Sequence, residues 1–302
     1  MRLFAILDID HPMVAWEVAI GRVLANPPKD EQGIEFTAPS LWLYSNIKSS
    51  INDKYMSDLE SEFHIEKIRA SKFPDKPSRL SGAFFFESRN DAINACKMWE
   101  WEDKLDYISE INFHESSYVK LDSNWITLRI RSCEKPERDF FIENYYSGTE
   151  LFPGRPLNEI ICTGYGEVLN SKLRRLAYAK ILQQKPDASL LLALGISCFE
   201  QDSKSYQEIL RVTPFIRRID NEVEGLFIIN FTHLENDEKR VAKIASRYIH
   251  NNGTSLITPK LNKLGTPLAI KRPINKEGIF SLTDLTSHSF RMSVDDFIKM
   301  NQ

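Results

Sequence analysis

Residues 71–88 read SKFPDKPSRLSGAFFFES, from Ser71 to Ser88. Pro74 and Pro77 stop any regular element before them, and Ser81–Ser88 then carries four consecutive apolar residues, Ala83 to Phe86, as a buried strand requires. Ser88 ends that strand and caps a helix. Asp91 stands three residues on in a capping-box arrangement, and Ala92, Ala95, Cys96 and Trp99 recur at helical spacing. Loop, strand and helix in this order predict a helix packed by one face on a sheet.

Outward from this unit the pattern extends. FHIEKIRA (63–70) is short and half alternating, and reads as a preceding strand. NWITLRIRS (124–132) alternates, with Ile126, Leu128 and Ile130 inward and Thr127, Arg129 and Arg131 outward, as a strand with one wet face would. EIICTG (159–164) and EVLNS (167–171) read as a strand pair turning at Gly164-Tyr165-Gly166. Residues 61–171 are thus a strand-rich α+β core. From 172 to 302 the chain changes character: KLRRLAYAKILQQ and ASLLLALGISCFEQ are helical by period, EGLFIINFT (224–232) is a strand, and NDEKRVAKIASRYIHNN is an amphipathic helix. Residues 1–60 mix short apolar runs with the turn Asn26-Pro27-Pro28-Lys29-Asp30, and Trp16 and Trp42 predict a segment packed on the core. ILDID near the start reads as a first strand running into a turn.

The chain of 302 residues is 42% hydrophobic and 27% charged, which excludes a disordered or fibrous protein. No apolar run approaches the ~20 residues of a membrane span, and acids interrupt the start where a signal peptide would be apolar. Cys96, Cys133, Cys162 and Cys198 stand far apart, without the close Cys or His pairs of zinc sites, and read as four reduced thiols in a cytoplasmic protein. The net charge of −3 hides a segregation. From Lys239 to Lys276 there is no Asp or Glu, while Lys239, Arg240, Lys243, Arg247, Lys260, Lys263, Lys271, Arg272 and Lys276 are all basic. Gathered on one face, such side chains would draw a phosphate backbone. The plainer alternative is a solvated basic face.

The usual chemical motifs are absent: no GxxxxGK[ST], no GxGxxG opening a helix, no HExxH and no GxSxG. What remains is a constellation. His64 and Arg69 lie on the expected first strand, Pro77-Ser78-Arg79-Leu80-Ser81 enters the next, Tyr145-Tyr146-Ser147-Gly148 precedes a loop, and Glu159 opens a later strand within Pro156-Leu157-Asn158-Glu159-Ile160-Ile161.

This order resembles the ADP-ribosyltransferase fold, whose members place an Arg or His on a first strand, a Ser or Tyr on a second and a Glu at the start of a later one. The nearest likeness is to a bacterial group of transferase-like proteins with an FPxxPSRxS stretch like Phe73–Ser81 leading into an apolar strand. The resemblance covers about residues 60–171. It implies an α+β fold with a split mixed sheet and flanking helices, NAD as substrate, no metal, and a bacterial toxin of a phage-defence or toxin–antitoxin system restrained by an antitoxin or chaperone protein. Leu157, where arginine-modifying members carry Glu or Gln, departs from the pattern. With the basic stretch, this favours a nucleic-acid acceptor, RNA first. A protein-modifying transferase or NAD glycohydrolase is the nearest alternative, and a non-catalytic nucleic-acid-binding module the more distant one.

The physical case for the set is independent of the name. Breaking the nicotinamide–ribose bond of NAD creates an oxocarbenium-like centre, which a carboxylate lowers in energy, as in glycoside cleavage. Glu159 is the candidate catalytic acid, with Glu167 its competitor. A guanidinium such as Arg69 or Arg79 grips a pyrophosphate by paired hydrogen bonds. His64 is the alternative to Arg69, Ser81 would orient a ribose, and Tyr146 would stack on the nicotinamide.

Overall fold

The computed structural model describes residues 1–25, 39–50, 56–133, 135–185, 188–229, Lys243 and 290–295. Its spine is one long antiparallel pair, β4 (Ile108–Asp122) and β5 (Asn158–Val168). On the free edge of β4 lies β1 (Arg2–Ile6); along the free edge of β5 lie β2 (Arg22–Leu24), opposite Tyr165–Glu167, and β3 (Ala83–Phe85), opposite Ile160–Cys162. Just past β3, Phe86 exchanges two backbone hydrogen bonds of 2.8 and 2.9 Å with Phe4 on the outer edge of β1. The hydrogen-bonded path therefore runs from β1 through β4, β5 and β3 back to β1, closed by the single Phe4–Phe86 bridge. The α+β class expected from the sequence is observed. Every strand pairing among the described residues is antiparallel, so the expected mixed sheet is corrected. Residues 1–60 do not merely pack on that sheet, because they supply β1 and β2.

Helices cover the sheet. α1 (Pro12–Ile20) starts with His11 accepting from the Met13 amide and packs on α6 (Ser171–Gln184) and α7 (Ser189–Gln201), the two helices expected beyond residue 172. Trp16 is fully buried and donates its Nε1 to the Leu210 carbonyl at 2.9 Å. The remaining helices are α2 (Leu41–Ser50), α3 (Met56–Lys72), α4 (Arg89–Met98) and α5 (Lys135–Ser147). Ser88 caps α4 as its sequence predicts, accepting from the Asp91 amide at 3.1 Å while Ala92, Ala95 and Cys96 are buried. A second sheet, β6 (Val212–Ile219), β7 (Glu222–Ile229) and β8 (Phe290–Ser293), follows α7. No helix among the described residues is long and apolar enough to cross a membrane.

Three expected strand assignments are overturned. Residues 63–70 lie inside α3, where Leu59, Glu62, Ile65 and Ile68 are buried at intervals of three, a helical stripe that an eight-residue window cannot separate from alternation. Residues 124–130 are helical, with a π turn at Ile126–Ile130, and residues 131–132 continue as a turn. Ile126 and Ile130 face inward four residues apart while Leu128 is 40% exposed, the reverse of an alternating strand. The turn is set by Asp122, whose carboxylate accepts from the Asn124, Leu151 and Leu157 amides at 2.9–3.1 Å and ends β4. Finally, Gly164-Tyr165-Gly166 is no hairpin: β5 runs straight through it. Gly164 sits at φ +137° opposite a bulge in β4 between Glu115 and Ser117, and a Cβ there would stand 2.2 Å from the His114 carbonyl oxygen. Its glycine serves close backbone approach, not reversal.

None of the four cysteines forms a disulfide; Cys96, Cys162 and Cys198 are buried and Cys133 is half-buried. Burial pushes the Cys162 thiol up to about 12 and raises Cys96 as well. An aromatic disulfide reagent at neutral pH should therefore modify Cys133 alone in the native protein and all four thiols in denaturant. Rapid native labelling of Cys162 would contradict this packing.

Candidate functional site

The site forms where the start of β5 meets the loop entering β3. Glu159 opens β5, opposite Leu121 of β4, and is only 4% exposed. Arg79, also 4% exposed, reaches it from the turn before β3, held there as Gly82 N–H bonds the Ser78 carbonyl and Ser78 Oγ accepts from the Leu80 amide. Arg79 Nη1 donates to Glu159 Oε1 at 2.9 Å and to Tyr145 Oη at 2.7 Å. Tyr145, on α5, donates in turn to the same Glu159 oxygen at 2.6 Å. On its other side Arg79 makes a fork to Glu62 of α3, Nε to Oε2 at 2.9 Å and Nη2 to Oε1 at 3.2 Å.

Two buried carboxylates thus share one guanidinium, and Arg131, with Nη2 3.8 Å from Glu62 Oε1, balances the second negative charge. Burial opposes charge on Arg79, but Glu62 first, then Tyr145 and Glu159, outweigh it and hold the guanidinium well above its ordinary range. Burial, with Glu159 adding to it against Arg79, raises the Tyr145 phenol well above its usual value, so it stays a neutral donor. Glu159 Oε1 accepts both of these bonds, and Oε2 accepts none among the described residues.

Glu159 lines a cavity of about 500 Å³ together with Arg79, Arg131, Ser123 and Thr127. Its walls are otherwise mostly apolar, with the rings of Trp42, Phe84, Phe86, Trp99 and Trp101 beside Ile6, Met98 and Ile126. That volume lies within the roughly 300–1,000 Å³ of small-molecule sites, and apolar walls with a few converging polar groups are their usual make-up. Trp42 contributes a buried Nε1 with no hydrogen-bond partner among the described residues. The π turn after β4 supplies Ile126, Thr127 and the approach of Arg131, a local irregularity of the kind that re-aims side chains at ligand sites.

One wall is strained. After α4, the Trp101 amide bonds back to the Cys96 carbonyl at 2.7 Å, closing the helix with Glu100 in the left-handed region at φ +58°. Glycine ordinarily takes that position, and a side chain there costs roughly 1–2 kcal/mol. Glu100 and Glu159 are the acids lining this cavity.

Arg79 and Glu159 are therefore brought together as the sequence predicted, but four expected ligand residues are not with them. His64 is on α3, not a first strand, and its Nε2 lies 2.5 Å from Asp139 of α5 on the outer side of that helix pair. Arg69 is also on α3; it pairs with Glu66 and donates to the Pro74 and Lys76 carbonyls at 3.2 and 2.9 Å, clamping the Phe73–Lys76 loop. Tyr146 is fully buried, stacked on Phe73 with ring centroids 5.8 Å apart, and serves the core because consecutive positions 145 and 146 point different ways from α5. Ser81 is exposed on a neighbouring hollow of about 400 Å³ with Ser40, Thr163 and Thr213, across the edge-to-face pair Trp42–Phe84. Arg79 itself has four of its five donors engaged within the protein, so a bidentate grip on pyrophosphate is not open to it.

The competing carboxylate is remote. Glu167 stands eight residues further along β5, roughly 26 Å away by strand rise, and accepts from Asn112 and Ser203 at 3.0 and 2.6 Å. Leu157 is buried beside Phe86 and Ala92. Of the basic candidates, Lys243 is helical and exposed; Lys239, Arg240, Arg247, Lys260, Lys263, Lys271 and Arg272 lie outside the described residues. Among the described residues no group of three or more His, Cys, Asp or Glu side chains is placed to hold a metal ion.

Sequence reasoning missed Glu62, Trp42, Glu100, Trp99 and Trp101 as site residues, took Tyr145 only as the neighbour of Tyr146, and read Arg131 as part of a wet strand face. The signal for Glu62 was its place with Ile65 and Ile68 on one helical stripe; the signal for the wall was Trp99-Glu100-Trp101 directly after a capped helix. Compared with models of known protein families and with curated proteins, the chain matches none.

Proposed function

We propose that this chain is an ADP-ribosyltransferase that takes NAD as donor and acts at the Arg79–Glu159 cavity. One observation carries the reading: Glu159, a buried carboxylate with one oxygen that accepts no hydrogen bond among the described residues, lines a largely aromatic hollow of about 500 Å³. When the nicotinamide–ribose bond breaks, its electron pair leaves with the nicotinamide and positive charge develops at the ribose carbon. A carboxylate fixed by Arg79 and Tyr145 needs no reorganisation to meet that charge, and because Glu159 is itself only 4% exposed the attraction is little screened by water. Arg79 is then a positioning residue. Arg131 becomes the cation for the donor's phosphates, and the rings of Trp42, Phe84 and Trp99 provide flat apolar contact for its bases.

The acceptor belongs to the same proposal. The acid-free basic stretch from Lys239 to Lys276 supports a nucleic acid, RNA first, and a toxin acting on RNA would need a restraining partner protein in the cell that makes it.

The test incubates the protein with labelled NAD and separate RNA, DNA and protein pools. Wild type should release nicotinamide and label RNA, and Glu159→Gln, which keeps the shape and the bond from Tyr145, should do so at least about 10²-fold more slowly. Absence of both release and label would remove the enzyme and leave a second reading, a non-catalytic binding module. The specific observation on that side is that Glu159 Oε1 and nearly the whole Arg79 fork are engaged in holding the fold together.

A further inference from the structure

We infer that Glu100 is the general base that deprotonates the acceptor, an inference that rests on the ADP-ribosyl reading of the cavity. Two acids line the hollow, and their situations differ. Glu159 is buried and ion-paired, and its work is to face positive charge; taking up a proton would cancel that work. Glu100 is exposed at the rim and makes no hydrogen bond or ion pair among the described residues. Its carboxylate can take a proton from a bound molecule and pass it to water.

The backbone argues the same way. A glycine at position 100 would close α4 without strain, yet the chain holds a glutamate at φ +58° between Trp99 and Trp101, whose rings meet edge-on with centroids 5.2 Å apart. Strained residues that carry side chains cluster at ligand sites, and of the three among the described residues, Glu100, Leu210 and Asp220, Glu100 is the one that lines this cavity. Trp101 is 42% exposed and lines the cavity, a flat apolar face beside the base on which an acceptor ring can stack.

The step balances with the groups already named. The C–N bond between ribose and nicotinamide breaks, its electron pair going to the nicotinamide nitrogen, which leaves neutral. A lone pair on the acceptor's oxygen or nitrogen forms the new bond to the ribose carbon. The acceptor's proton passes to Glu100 and then to solvent.

A nucleophile without a proton to lose separates the two acids. The full-length protein is given NAD and either water alone or 3-acetylpyridine, whose ring nitrogen attacks without deprotonation, and hydrolysis and base exchange are measured. Glu100→Gln should lower hydrolysis about 10²-fold while exchange stays within a few-fold of wild type, so the exchange-to-hydrolysis ratio rises by about 10². Glu159→Gln should lower both together. Glu100→Gly should behave like Glu100→Gln in this ratio and melt higher, by roughly 2–4 °C, which separates lost chemistry from lost folding. A Glu100→Gln ratio equal to that of wild type, whatever the absolute rates, overturns the role of Glu100. Wild type releasing no nicotinamide, or Glu159→Gln as active as wild type, overturns the underlying transferase reading instead.

Discussion

Arg79→Met should destabilise the protein by about 3–5 kcal/mol, because it leaves the carboxylates of Glu62 and Glu159 buried without their shared counter-charge. Methionine fills much of the arginine stem's volume, so the loss is electrostatic and not a cavity effect. The measurement is urea unfolding, read as a shift in midpoint at unchanged slope. Arg79→Lys should recover only part of the loss. An ammonium is a point charge, and it cannot fork to Glu62 while also donating to Tyr145 and Glu159 from the other side. Adding Glu62→Gln to Arg79→Met should restore part of the lost stability, since one of the two stranded charges is then gone. A loss below about 1 kcal/mol for Arg79→Met would show that water reaches these carboxylates, and with it that Glu159 lacks the low-dielectric surroundings on which the transferase mechanism depends.

Arg22→Met should be of similar size, about 3–5 kcal/mol, through a network with no part in the cavity chemistry. Arg22 is fully buried in β2, with Nε 2.5 Å from Glu17 Oε2 and Nη1 donating to the Gln207 and Ile209 carbonyls at 2.9 and 2.6 Å. Glu17 Oε1 in turn accepts from the Val212 amide at 2.8 Å, where β6 begins. Removing the guanidinium strands one carboxylate and leaves two carbonyls without their donor. The lesion should be visible locally: the Val212 amide should exchange with solvent far faster in Arg22→Met, while Cys162 in β5 remains inert to thiol reagents. Uniform loosening of both would mean that the network does not join β2 to β6 specifically.

The contrast between these arginines and Arg69 illustrates what tertiary structure adds. Arg22 follows Gly21 and Arg79 follows Ser78, whereas Arg69 stands between Ile68 and Ala70; the chemistry of the guanidinium offered both Arg69 and Arg79 for gripping phosphate, with His64 as the alternative to Arg69. In the fold, Arg69 points along α3 onto the carbonyls of its own loop, Arg79 crosses to three other elements, and Arg22 ties two distant segments. A guanidinium's partners are set by what lies within its reach after folding, and no local pattern encodes that.

The legible parts share a physical cause: they are interactions between residues close along the chain. Ser88 capping Asp91, the apolar run leading to β3 and the helical stripes of α6 and α7 are decided within one or two turns of backbone, so the sequence by itself determined them, together with the α+β class and the placement of Glu159 at a strand start. Short windows failed where two periods fit the same residues, as at 63–70 and 124–132, and only packing chose the helix, by burying Leu59, Ile65 and Ile68 on one side and Ile126 and Ile130 on another. The site itself belongs to the tertiary structure. Glu62, Arg79, Tyr145 and Glu159 come from α3, a turn, α5 and β5, and the charge balance that keeps them buried exists only when all four meet, since each alone would be driven to solvent by the cost of losing its water.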